Sequence, residues 1–192
     1  MTLKLIAAPG SEPVTLAEAK AHLRVDLSDD DTLISSLIVA ARWIAEDRTG
    51  RALMPQTWDL LLDAFPSKEI LIGKMPLQAI THVKYYDQDA ALQTMDSVDY
   101  TLDPDSLPGW LLPAYGEAWP ATLDSANAVM IRFTAGYADA ASVPMPIKHW
   151  ILMYVGHLYQ FREPIVAGAS IAELPRGFLD ALLDPFNITM VG

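Results

Sequence analysis

The stretch "DDDTLISSLIVAARWIAEDRTG", residues 29–50, decides the first part of the fold because it changes from charged to apolar within four positions. Its apolar side chains recur at helical spacing, at Leu33, Leu37, Ala41 and Ile44, flanked by Ile34, Ile38 and Ala45. Asp30 and Asp31 come first, where the helix dipole favours negative charge, and Gly50 follows the last turn as a stop signal. The stretch therefore predicts an amphipathic helix.

The same aspartates raise the alternative of a calcium loop beginning at Asp26. An EF-hand loop needs glycine at its sixth position and glutamate at its twelfth, where this chain has Asp31 and Leu37. A helix start needs only a capping side chain, which Ser28 or Asp29 can supply. The sequence favours the helix start over a metal site.

Further helices are predicted on both sides of this one. Upstream, Thr15 and Glu18 form a T-x-x-E capping box before a short amphipathic run. Near the other end, "VPMPIKHWILMYVGHLYQFREP" has Pro146 in a first-turn position. Its apolar stripe consists of Ile147, Ile151, Tyr154, Leu158 and Phe161. Gly156 lies in the middle of that helix and indicates close packing, and "PRGFLDALLDP" predicts a last short helix.

Alternation of apolar and polar residues predicts strands between the two helical regions. It is clearest in "QTWDLLLD", "QAITHVKYYD" and "NAVMIRFTAGY", with shorter candidates in "EILI", "VDYTLD" and "GWLLP". We predict an α+β fold in which a helical core, made of two N-terminal and two C-terminal helices, carries an inserted antiparallel β-meander. We expect one domain over 1–192, with helices at about 15–50 and 146–184 and the β insertion at about 56–136.

Composition narrows the classes of function. The 192 residues are 52% hydrophobic, enough for a core, and carry 24 acidic against 13 basic residues, a net charge of −11. Tight nucleic-acid binding needs a basic surface, so it is not expected. The absence of cysteine excludes disulfides and thiolate metal sites. No membrane span is expected because no apolar run approaches about 20 residues, and the apolar N-terminal run is too brief for a signal peptide.

A search for catalytic motifs finds none that is specific. There is no P-loop and no G-x-G-x-x-G, and "GASIA" around Ser170 resembles a nucleophile elbow only loosely. His149 and His157 lie two turns apart on one predicted helix, about 12 Å along its axis, too far to share a metal. We therefore expect no enzyme, cofactor or metal. A small acidic hydrolase that uses paired carboxylates remains the alternative.

The aromatic residues Trp110, Tyr115 and Trp119 lie among prolines in "LPGWLLPAYGEAWP". They can line a ligand groove, or they can belong to an ordered loop or a contact with another chain. No convergent polar group accompanies them, and aromatic residues are enriched at protein interfaces. We favour the contact.

The linear pattern resembles the head–tail connector (adaptor) proteins of tailed bacteriophages. The resemblance is carried, in order along nearly the whole chain, by "PVTLAEAKAHLRVD", "DDDTLISSLIVAARWIAEDRTGRAL", "QTWDLLLDAFP", "PLQAITHVKYYDQDA", "GEAWPAT", "VMIRFTAGY", "VPMPIKHWILMYVGHLYQFREPIV" and "SIAELPRGFLDALLDPF". It implies a structural protein that forms a ring of twelve copies, docks on the phage portal protein and provides the platform for tail attachment. The implied partners are the chain itself, the portal and a tail-side completion protein, with DNA passing through the ring without specific binding and no membrane. The implied location is the head–tail junction of the virion, and the bacterial host cytoplasm before assembly.

The acidic balance then has two possible meanings. A channel lined with carboxylates repels DNA phosphates and lets the duplex slide. Alternatively, the charge only keeps the unassembled subunit soluble.

A closed ring needs a heterologous interface, in which one surface of a subunit meets a different surface of its neighbour. The candidate interface residues are Tyr85 and Tyr86 of the "YYDQDA" hairpin, Trp110, Tyr115 and Trp119, and Ile165, Val166, Ile171 and Leu174 of "IVAGASIAEL". We expect deletion of Ala167–Ala172 to leave a folded monomer that does not assemble.

Overall fold

The computed structural model describes residues 1–161 and 176–188 and confirms an α+β fold with antiparallel sheets. By its internal contacts the chain divides into two compact units. The sheet unit contains the described residues of Met1–Gly10, Pro55–Tyr137 and Ile188–Gly192, and the helix unit those of Ser11–Met54 and Ala138–Asn187. The prediction that both form a single domain stays a prediction.

The helix unit is built on three helices of two turns or more in the described part of the chain, α1 (Leu16–Leu23), α2 (Asp31–Thr49) and α3 (Met145–Gln160). The predicted capping box is present at the start of α1. The Glu18 amide donates to Thr15 Oγ1 at 3.2 Å, and the Thr15 amide donates to Glu18 Oε2 at 2.7 Å. The amides of Thr15 and Glu18, which have no partner within the helix, are thus satisfied locally.

The helix predicted from the opening stretch is confirmed, but its start differs in detail. The N-cap residue is Asp30, not Ser28 or Asp29, and it makes no side-chain capping bond. Its carboxylate instead accepts a hydrogen bond from the Tyr159 hydroxyl on α3. Asp31 forms an ion pair with Lys20 of α1. The aspartates therefore join the three helices.

The buried face of α2 contains Ala41 of the predicted stripe and the predicted flanking residues Ile34, Ile38 and Ala45, so its centre lies beside the stripe. The buried residues are Ile34, Ile38, Ala41, Arg42, Ala45, Glu46 and Thr49. Leu33, Leu37 and Ile44 are only half-buried. The reason is that two charged residues, Arg42 and Glu46, lie on the buried face, where an apolar pattern cannot reveal them.

The predicted fourth helix is reduced to a single turn, α4 (Arg176–Asp180), followed by a 3-10 turn at Asp184–Phe186. The α-helix ends at Asp180, turns follow through residue 183, and Pro185 lies in the first turn of the 3-10 helix, where its missing amide hydrogen is tolerated. A continuous helix through 184 is therefore not formed, and the arrangement of two N-terminal and two C-terminal helices is not observed. The end of this segment is held by Arg48, which pairs with Asp180, and by Arg51, whose Nε donates to the Phe186 carbonyl at 2.7 Å.

The sheet unit contains two antiparallel sheets instead of one meander. Its strands are β1 (Thr2–Ala7), β2 (Gln56–Leu62), β3 (Ile70–Ile72), β4 (Leu77–Tyr86), β5 (Leu92–Thr94), β6 (Tyr100–Asp103), β7 (Gly109–Pro113) and β8 (Val129–Ala135). Five form a sheet of order β1-β2-β8-β4-β5, and three form a sheet of order β3-β7-β6. Alternation predicted six strands correctly but does not encode partners, so the central place of β8 and the strands β1 and β5 were missed.

The core face of the larger sheet is apolar, and its other face carries an ion pair. Leu60, Ile131 and Phe133 have no exposed surface. On the opposite face, Asp59 and Arg132 are directly paired across β2 and β8. Arg132 donates from Nε and an NH2 group to the two carboxylate oxygens of Asp59, at 2.7 and 2.8 Å. This bidentate pair fixes the register at the centre of the sheet.

Candidate functional site

The two tyrosines of the predicted hairpin have different environments. Tyr85 is half-buried and meets Phe65 edge-on, with ring centroids 5.6 Å apart. Tyr86 lies on the other face of β4, and 42% of its surface is exposed. Of the pair, Tyr86 is available to a partner, whereas Tyr85 packs within the sheet unit.

Asp87 organises the turn that follows these tyrosines. Its carboxylate accepts hydrogen bonds from the amides of Asp89 and Ala91, at 3.0 and 2.9 Å, and from the side-chain amide of Gln93 at 2.7 Å. The Gln93 bond is the main reason why the pKa of Asp87 is below its ordinary value. The hydrogen bonds of Asp87 thus hold the turn of the hairpin, which carries acidic side chains, in one conformation.

The aromatic residues of the second candidate surface also separate into two kinds. Trp110 on β7 is 36% exposed, and Tyr115 is fully exposed. Trp119 stacks on Phe65, with centroids 4.8 Å apart and planes at 4°, and its Nε1 donates to the Lys68 carbonyl at 3.1 Å. Trp119 therefore orders its own loop, and Trp110 and Tyr115 are the residues left for a contact.

Phe65 was not among the predicted site residues, yet it brings two of them together. Tyr85 and Trp119 come from different candidate stretches and both contact its ring. Sequence reasoning gave no signal for this contact because Phe65 follows β2 in an irregular segment.

The third candidate surface, with Ile165, Val166, Ile171 and Leu174, lies outside the described residues. The helix unit offers a surface that the sequence reasoning missed. Trp43 and Val39 lie one turn apart on α2 and are 63% and 44% exposed. A signal was present, because both positions fall off the apolar stripe of that helix.

One pair of carboxylates does meet in the helix unit, around Arg42. Its Nε donates to Glu12 Oε2 and its Nη1 to Glu46 Oε2, each at 2.6 Å. The other oxygen of Glu46 accepts the Leu53 amide at 2.8 Å. This arrangement neutralises the carboxylates and anchors the backbone, which is a structural role unlike that of a hydrolase pair.

An open depression in the helix unit is lined by His22, Leu23, Gly156, Tyr159 and Gln160. It contains no paired carboxylates. Over 1–161 and 176–188, no three His, Asp or Glu side chains are grouped to hold a metal ion. Nor does any helix in this described part have the length and apolarity to cross a membrane.

Comparisons with known proteins agree with the resemblance read from the sequence. Residues 13–106 match the family model described as phage gp6-like head–tail connector proteins. No curated protein sequence matches the chain significantly. The predicted resemblance to head–tail connector proteins is confirmed.

Solved structures match over the whole chain. A chain from the neck of an empty gene transfer agent (GTA) particle, computed with C6 symmetry, is 24% identical, with TM-score 0.81. A chain from the virion of a native GTA particle is 22% identical, with TM-score 0.81, and one from a native GTA neck computed with C12 symmetry is 20% identical, with TM-score 0.79. Each match covers 100% of this chain and 98% of the other.

Proposed function

We propose that this chain, whose residues 13–106 match the model of the phage gp6-like head–tail connector family, is a structural subunit of the head–tail junction of a phage-like particle. The observation that carries the proposal is the family match, since the structural likeness by itself establishes the fold alone. The alternative of a small acidic hydrolase has no support from the family or from the carboxylates described above.

The subunit acts as one of twelve copies in a ring. The support is that solved chains of the same fold come from necks computed with sixfold and twelvefold symmetry. Cyclic symmetry requires each copy to present two different surfaces. Exposed aromatic side chains supply the anchors of such a contact at low entropic cost. We assign this role to Tyr86, Trp110 and Tyr115, and add Trp43 from the helix unit.

The ring docks on the portal protein on one side and receives a tail-side completion protein on the other. DNA passes through its channel without specific binding, because a chain of net charge −11 repels phosphates. We also propose, from the sequence, that the interface between copies includes Ile165, Val166, Ile171 and Leu174. The subunit is synthesised in the host cytoplasm and ends in the virion.

Deletion of the gene in a strain that produces the particle tests this function. A connector joins head and tail, so the deletion should yield filled heads and free tails that remain separate in electron micrographs of the lysate. The wild-type gene supplied in trans should restore joined particles. Joined, tailed particles in the deletion strain would contradict the proposal.

A further inference from the structure

The larger sheet of the sheet unit has two open edges within the described part of the chain. β1 pairs only with β2, and β5 pairs only with β4. The outer edge of each strand therefore presents unpaired amide and carbonyl groups, which are a template for another strand.

Both edge strands are exposed although they carry apolar side chains. Five of the six residues of β1 are exposed, including Leu5 at 44% and Ile6 at 39%. Thr2 to Leu5 pair with β2 in unbroken register, and a bulge follows. In β5 all three residues are exposed, with Leu92 at 55%. The short length of β5 and Lys4 in β1 limit unspecific pairing with other sheets, and the exposed apolar side chains beside them leave both edges open to one matching strand.

We propose that β1 of one copy pairs with β5 of the next copy, so that the five-stranded sheets join into one continuous sheet around the ring. This inference rests on the proposed ring-forming function. A closed ring needs two different, complementary surfaces on each subunit. The two ends of one sheet are such a pair, because every copy that offers a β1 edge also offers a β5 edge.

The strand directions determine the kind of pairing. Four successive antiparallel pairings separate β1 from β5, so both strands run in the same direction. Cyclic symmetry relates one copy to the next by a rotation of about 30° in a twelvefold ring, and such a rotation does not reverse the direction of a strand. The new pairing is therefore parallel.

Charge also favours the contact between unlike edges. β5 is flanked by Asp87 and Asp89 on one side and by Asp96 on the other, whereas β1 carries Lys4 as its one charged residue. Pairing β1 with β5 brings opposite charges together. Pairing β5 with another β5 would place like charges side by side, which is unfavourable.

The register within the sheet makes the proposal specific at the level of residues. Leu3, Leu5 and Gln93 lie on the core-facing side of the sheet, and Lys4 lies on the opposite side. A continuous sheet keeps its faces, so Gln93 must lie beside Leu3 or Leu5 of the next copy and never beside Lys4.

Disulfide cross-linking tests this register cleanly, because the chain has no cysteine. Neighbouring strands are about 4.8 Å apart, within the Cα range of about 4.4–6.8 Å that a disulfide spans. The variants are Leu3→Cys/Gln93→Cys and Leu5→Cys/Gln93→Cys, assembled on purified portal and oxidised. At least one should give a ladder on a non-reducing gel that extends to the copy number of the ring and collapses with reductant.

The matched control is Lys4→Cys/Gln93→Cys, whose thiols lie on opposite faces and should not cross-link. Rings in micrographs without a ladder from either test variant would overturn the edge pairing while leaving the connector function intact. A dimer from Leu5→Cys alone would mean that like edges meet, and would also overturn it. Absence of rings from all variants and from the wild type would overturn the ring function and the edge pairing with it.

Discussion

Arg42 and Glu46 lie one turn apart on α2 and form an ion pair of 2.6 Å in which each side chain is only 8% exposed. Glu46 also accepts the amide of Leu53 at 2.8 Å, so the pair connects the helix to the segment that follows it. Removal of one partner from a buried pair leaves the other charge uncompensated, which costs much more than the loss of a surface ion pair.

We therefore expect Glu46→Ala to lower the free energy of unfolding by about 3–5 kcal/mol. Urea denaturation followed by circular dichroism measures the change. Asp47→Ala is the control, because Asp47 is exposed on the same helix and its replacement should change stability by less than about 0.5 kcal/mol. Equal effects of the two substitutions would show that the Arg42 cluster does not stabilise the helix unit.

Gly156 in α3 has room for a methyl group. A Cβ atom there would meet His22 Nε2 at 3.6 Å and the Leu23 side chain at 3.8 Å, both ordinary van der Waals distances. The sequence predicts close packing at Gly156, but the neighbouring side chains leave enough space for a residue larger than glycine. Gly156→Ala should stabilise the protein by up to about 1 kcal/mol, since alanine is the better helix former.

Gly109→Ala is the matched comparison in a thermal melt. Its Cβ would lie 2.8 Å from Leu77 Cδ2 and 3.1 Å from the Asp103 carbonyl oxygen, so neighbouring atoms must move. This variant should melt at a lower temperature than the wild type, and Gly156→Ala at a higher one. A lower melting temperature for Gly156→Ala would show that α1 and α3 pack more tightly than described.

Tyr115 and Trp119 differ in exposure, and this difference separates assembly from folding. Tyr115→Ser should leave the unfolding free energy within about 0.5 kcal/mol of the wild type and reduce ring formation on the portal. Trp119→Ser should destabilise the folded subunit, because it removes the stack on Phe65 and the bond to the Lys68 carbonyl. Light scattering and thermal melts of both variants provide the comparison. Normal rings from Tyr115→Ser would remove that residue from the interface.

His82 predicts a pH dependence of stability. Burial, followed by repulsion from Lys84 and Arg132, lowers its pKa below the ordinary 6.5. Between pH 6.5 and the lower pKa of His82 in the folded protein, the unfolded state binds more protons than the folded state. The free energy of unfolding therefore keeps the contribution of neutral His82 above pH 6.5 and loses it as the pH falls through the folded pKa. His82→Gln should reduce the fall of the melting temperature between about pH 7 and pH 5, and the exposed Thr81→Gln should not. Identical pH profiles for the wild type and His82→Gln would contradict this assignment.

The local structure was predictable where a short-range signal exists. The capping box at Thr15 and the stop at Gly50, which adopts a left-handed φ of 70°, were read correctly from neighbouring residues. The order of the strands was not predictable, because β2 and β8 pair over some 70 residues and alternation is the same for any partner.

The candidate surfaces were predictable only in part. The sequence predicted an interface role for Trp110, Tyr115 and Trp119 alike. Only the structure shows that the Trp119 ring is already stacked on Phe65. The edges β1 and β5 were invisible in the sequence, because a strand becomes an edge only through the partners that it lacks.

Negative-stain microscopy combined with light scattering, on the purified protein alone and mixed with its cognate portal, tests the central claim most directly. We expect uniform rings, of twelve copies by mass, at least in the presence of the portal. A subunit that stays monomeric and does not bind the portal would contradict the connector function.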